Sequence, residues 1–212
     1  MRYALIAVMV AALAVPALAG MNPECKIFIH LEADAEPDVT DNASVVNEIP
    51  SPTGYQNYYA YIGVTEMGMG GEPVAGEGLT VISFLVNDIV ASYPGVVGAQ
   101  SFTSLLPGGL AIGNAFTGDG ITISSTECMP PPLVVLGYVQ MFYLAGGATI
   151  EVLDHGGYPR WVVDCQPIGV VDYYCVWKQG GLGMPAPAGD EGCDANTPVE
   201  ESTWGSIKAM YR

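Results

Sequence analysis

Positive charge is what this chain has least of: 6 Lys and Arg stand against 22 Asp and Glu, a net charge of −16. A nucleic-acid binder neutralises phosphates with a basic footprint, and a protein held on anionic lipid uses the same attraction, so the composition argues against both partners. Histidine is almost as scarce. His30 ends an alternating strand and His155 sits in the turn "LDHGGYP", places where histidine is usually structural, and acid–base or metal chemistry near neutral pH has little to draw on. No Gly-x-Ser-x-Gly elbow, His-Glu-x-x-His pair, Cys-x-x-Cys pair or phosphate loop occurs. A glycosidase needs only two carboxylates, but no spacing among the acids singles out a pair. The expectation is therefore a non-enzymatic protein without a resident cofactor.

What is present begins with "MRYALIAVMVAALAVPALAG", one basic residue followed by an apolar run and small residues around Ala17-Leu18-Ala19. This pattern predicts a secretory signal peptide over residues 1–19, cleaved after Ala19 or Gly20. The run is short for a membrane span and has no charged stop-transfer flank, so no span is expected in the mature chain. Cys25 lies too far beyond the cleavage point to be a lipid anchor. Removing Arg2 with the signal leaves 5 basic residues against 22 acids, a mature net charge of −17. Such a charge keeps an exported protein soluble and discourages self-association. The expected location is periplasmic, cell-surface or extracellular.

Half of the chain is apolar, enough for one core, and one domain over residues 25–178 is expected. "CKIFIHL", "NYYAYIGVTEM", "GLTVISFLVND" and "GDGITISST" read as half-buried strands bounded by turn residues. "PPPLVVLGYVQMFYLAGGATIEVLDHGGYPRWVVDC" reads as three more, and "GVVDYYCVW" as the last. "VNDIVASYPGVV" allows one helical turn before Pro94-Gly95 stops it. Eight or nine short strands bury one face each most simply in an all-β antiparallel sandwich. The expected core includes Ile27, Ile29, Val81, Phe84, Val135, Val139, Ile150, Val152 and Val163. The Gly/Pro-rich stretch 179–197 reads as a linker or closing loop.

Two segments carry candidate function. "LEADAEPDVTDN" places Glu32, Asp34, Glu36, Asp38 and Asp41 close together, and a loop that folds such carboxylates inward can hold calcium. Counted from Glu32 the sixth position is Pro37, so an EF-hand loop is excluded; an irregular calcium site, shared with Asp190, Glu191 and Asp194, stands against a solvated acidic loop. The other segment is the tail 198–212. Thr197-Pro198-Val199-Glu200 fits a capping box, and Trp204, Ile207 and Tyr211 recur at helical spacing with Lys208 and Arg212 beside them. A short amphipathic helix is expected there, facing either the sandwich or a partner.

The early cysteine before a strand, "GLTVISF", the strand end "VVDC" and the closing "TWGSIKAMYR" together resemble secreted bacterial β-sandwich proteins, cohesin-like or immunoglobulin-like in outline, that end in a T-W-G-x-I-K-A-x-Y-R tail. The resemblance implies export, sorting or surface retention through Trp204, Ile207, Lys208, Tyr211 and Arg212, and brings no catalytic residues. Five cysteines in an exported protein suggest disulfides and leave one thiol over, with fifteen two-bridge patterns open. Cys175–Cys193 is the choice that would pin the closing segment onto the last strand. Cys128–Cys165 is implied by the resemblance, although a simple three-strand meander would put those residues at opposite ends. The function expected is an exported binding or structural module for a protein or glycan, with a carbohydrate-binding module or hydrolase using acidic and aromatic loops as the alternative.

Overall fold

The structure is a computed structural model and describes residues 22, 24–67, 77–98, 101–118, 120–154, 160–166, 169, 171–190 and 193. The expected signal segment 1–19, His155, and the tail 198–212 with its expected helix lie outside the described residues. The fold is all-β. Among the described residues fifteen strand segments are β1 (Lys26–Glu32), β2 (Glu48–Ile49), β3 (Gln56–Thr65), β4 (Leu79–Val86), β5 (Val96–Val97), β6 (Phe102–Ser104), β7 (Leu110–Gly113), β8 (Ile121–Met129), β9 (Leu133–Tyr143), β10 (Ala148–Ile150), β11 (Val152–Leu153), β12 (Trp161–Asp164), β13 (Val171–Tyr173), β14 (Cys175–Lys178) and β15 (Gly180–Leu182). The excess over the eight or nine expected comes from two- to four-residue pieces that carry no alternating pattern of their own. One helical turn, α1 (Ile89–Ser92), is capped by the Asp88 side chain and stops before Pro94.

The strands form two main sheets. The first has the order β14-β1-β3-β9-β5 with β6 also on β9; the second has β13-β12-β4-β8-β7 with β11 also on β4. A small third sheet, β10-β15-β2, includes Gly180–Leu182, so the stretch read as a linker opens with a buried strand. Most pairings are antiparallel, but β1–β14 and β15–β2 are parallel. One apolar core lies between the main sheets: Ile27, Ile29, Ile62 and Val139 come from the first, Ile82, Phe84, Ile123 and Val162 from the second. The Phe84 and Phe102 rings meet edge-on across the interface with centroids 5.5 Å apart, a geometry that adds to plain area burial.

Of the expected core, Ile27, Ile29, Phe84, Val139, Ile150 and Val152 are buried there, while Val81, Val135 and Val163 are not. Side chains alternate faces along a strand, and β4 places Ile82 and Phe84 inward, so Val81 and its cross-strand partner Val163 point out of the sandwich. The residues from Val81 to Leu85 are apolar on both parities apart from Ser83, so alternation alone does not decide the face. Val135 packs on the opposite side of the first sheet, with Phe28. Phe28 in turn lies over Gly63: a Cβ there would stand 2.3 Å from the ring, so glycine supplies the floor on which the ring sits.

Candidate functional site

Strand β1 is covered on both of its faces. Ile27, Ile29 and Leu31 enter the core, while Phe28 and His30 on the other face are also buried. The cover is the acidic segment after β1, which folds back over the outer face of the first sheet. Leu31 N–H donates to the Val46 carbonyl at 2.7 Å, and Val39 and Val45 pack on Phe28 beside Leu133, Val135 and Trp177. The Lys178 ammonium donates to the Val45 carbonyl at 3.1 Å.

Under this cover sits a polar and aromatic group. Val46 N–H donates to His30 Nδ1 at 2.9 Å, so the proton of the neutral ring belongs on Nε2. That nitrogen stands 2.7 Å from Glu32 Oε1 but is not aligned for a hydrogen bond, which makes the contact electrostatic. Tyr61, fully buried, donates its hydroxyl to the Asp34 carbonyl at 3.2 Å. Burial, with the Glu32 and Asp34 charges adding, pushes the Tyr61 hydroxyl well above its ordinary range, so it remains a donor. Its ring stacks near Tyr59 at 6.2 Å and meets Tyr138 edge-on at 5.6 Å, while Tyr59 and Tyr138 meet at 5.4 Å. Tyr59 and Tyr138 are half-buried and the neighbouring Gln140, opposite Tyr59 on β9, is exposed.

The five acidic candidates do not act as one group. Glu32 Oε1 accepts from Asp38 N–H at 3.0 Å and Asp34 Oδ1 from Glu36 N–H at 3.4 Å. Asp41 caps the 3-10 turn Asn42–Ser44, accepting from Ser44 N–H at 2.8 Å. These carboxylates shape the loop. Asp34, Glu36 and Asp38 line an open depression of about 570 Å³, and among the described residues no three His, Cys, Asp or Glu side chains converge to hold a metal ion. Asp190 is engaged elsewhere, accepting from Val176 N–H at 2.7 Å and pairing with Arg160; Glu191 and Asp194 lie outside the described residues.

The cysteines pair as Cys128–Cys165, with Cα atoms 5.6 Å apart, and Cys175–Cys193, 5.9 Å apart. The first pair meets because β9, which follows β8, crosses to the other sheet, leaving β8 and β12 on either side of β4. Leu79 faces both Met129 and Asp164, and the bridge closes over Gly78, whose Cβ would stand 2.9 Å from Cys128 Sγ. Cys25 is the free thiol among the described residues; complete burial and then Asp172 push its thiol far up, so it is inert.

A second surface was not among the candidates expected from the sequence. On the outer face of the second sheet, Val171 lies beside Val163 and Val163 beside Val81, while Tyr173 lies beside Trp161. At the far edge Leu110 and Ile112 share this face, paired with Ser124 and Thr122. Leu110, Ile112, Val171 and Tyr173 are 58%, 61%, 52% and 63% exposed. The strand run that contains Val81 could have revealed it, had both parities been taken as apolar.

No family model, curated protein or solved structure matches the chain.

Proposed function

We propose that the protein is an exported, non-enzymatic binding module of the bacterial cell surface or extracellular space, and that it meets its ligand on the outer face of the first sheet beside the acidic loop. The observation that carries this reading is the juxtaposition of half-buried Tyr59, Tyr138 and Glu32 with exposed Gln140 and the loop acids Asp34, Glu36 and Asp38. Rings held at fixed angles by neighbouring rings offer apolar contact at little entropic cost. Amide and carboxylate groups beside them supply directional hydrogen bonds. Two disulfides fit an oxidising compartment, and the signal-like opening supports the same placement.

The tyrosines beside an amide and carboxylates also favour a glycan as the ligand, because a sugar ring presents an apolar face and a hydroxyl edge together. The test is glycan-array and surface-protein binding by the mature chain, repeated with Gln140→Ala and Tyr138→Ala. Loss of at least ten-fold in affinity for both variants, with an unchanged circular dichroism spectrum, is the expected result. Binding that survives both substitutions would remove this face from consideration, and turnover in a hydrolase screen that both variants abolish would replace the reading with an enzymatic one.

A further inference from the structure

Apolar surface of the breadth seen on the second sheet is a contact surface more often than a free one. The face runs from Val171 and Tyr173 on one edge strand, past Val163 and Val81, across Thr122 and Ser124 of β8, to Leu110 and Ile112 on the other edge. Five strands at strand spacing make it about 19 Å wide.

We propose that the chain's own segment 202–212 covers this face, laying Trp204, Ile207 and Tyr211 across it. The first support is the point of departure. Cys193 is bonded to Cys175 with Cα atoms 5.9 Å apart, and Cys175 follows the face's edge residue Tyr173 by two positions. Cys175 opens β14 of the first sheet, so the tail leaves from the side of the sandwich where the chain passes from the second sheet's edge strand β13 to the first sheet's edge strand β14. Trp204 comes eleven residues after Cys193, a reach of about 36 Å when extended, which exceeds the width of the sheet. The second support is chemical match: Trp204, Ile207 and Tyr211 are three large apolar side chains within eight residues, and such side chains need an apolar surface.

The third support is charge. The described cations are engaged within the body: Lys26 pairs with Glu66 at 2.8 Å, Arg160 pairs with Asp154 at 2.6 Å, and Lys178 lies 4.5 Å from the Trp177 ring centroid. Segment 202–212 has two further cations, Lys208 and Arg212, and no acid. It is attracted to an acidic body, whereas a second copy of a chain with net charge −16 is repelled by it.

The test uses the full chain with Trp204 replaced by photoreactive benzoylphenylalanine, irradiated in dilute solution and mapped by mass spectrometry. The expected product is an intramolecular link to β4, β7, β12 or β13, reduced at least ten-fold by the exposed-site pair Leu110→Asp and Ile112→Asp. Should that pair fail to fold by circular dichroism, Val171→Asp at the opposite edge serves the same purpose. Links between two copies would assign the face to self-association, and links unchanged by the charged variants would place the tail elsewhere. Absence of any link within the chain would leave the tail to export or surface-retention machinery. Each of these three results overturns the proposal.

Discussion

Replacing Cys128 and Cys165 together by alanine tests the arrangement of the second sheet most directly. The bridge closes a loop with a sequence separation of 37, and the chain-entropy relation gives a stabilisation of about 3.8 kcal/mol for a loop of that length. The separation of 18 for Cys175–Cys193 gives about 3.2 kcal/mol by the same relation. With a urea dependence of about 2 kcal/mol/M, the first double variant should lose about 2 M in its unfolding midpoint and about 8–15 °C in melting temperature. Urea titration under non-reducing conditions, followed by both circular dichroism and fluorescence, measures the loss and checks that one transition is being compared. The native protein should also resist alkylation, with one thiol, Cys25, becoming reactive only on unfolding. A loss below about 1 kcal/mol, or peptide mapping that recovers Cys128 and Cys165 as free thiols, would refute the reasoning, because β8 and β12 would then not flank β4.

The opposed faces of β4 give a second prediction: Ile82→Ala should cost about 2–5 kcal/mol, while Val81→Thr, on the outer face, should cost under about 1 kcal/mol, both by chemical denaturation. Equal costs would contradict the assigned parity. A third concerns Asp172, whose carboxyl is pushed up first by burial and further by Asp164, against the lowering effect of the Asn22 N–H that it accepts. A folded pKa above the unfolded one means that the native state holds the proton more tightly. Stability from this group is therefore full below the ordinary carboxylate range and falls as pH rises through the raised value. Asp172→Asn should gain on the parent protein between pH 4 and pH 7 in urea midpoints, and a gap that stays constant over that range would exclude the effect.

Alternation in "CKIFIHL" and "NYYAYIGVTEM" identified strands because β-branched and aromatic residues recur there every second position, and Ile27 and Ile29 were readable as core for that reason. Parity in "TVISFLV" was not readable: apolar residues occupy both faces of β4, and the sheet's outer surface is itself apolar. The covered His30–Tyr61 group was hidden for a different cause. Its burial depends on residues up to Val46 folding back, and nothing local in an acidic loop announces what lies beneath it. The Cys128–Cys165 pair depends on strand order rather than on spacing. A meander keeps successive strands adjacent, whereas here β9 leaves for the opposite sheet, which brings two strand ends together.

The parallel pairing of β1 with β14 constrains the order in which this molecule can be assembled. One edge of β1 is satisfied by β3, but on the other Lys26 meets Cys175 and Ile27 meets Val176, partners made long after β1 when a chain is synthesised from its N-terminus. Closing that ladder means forming a loop of about 150 residues, and a fold ruled by such distant contacts is slow. Until β14 arrives, the first three residues of β1 offer an open strand edge able to pair with any other chain nearby, while Leu31 further along is held by the Val46 carbonyl. The first strand of the domain is thus kept waiting for its last neighbour, and an acidic chain that repels its own copies is suited to survive that interval without aggregating.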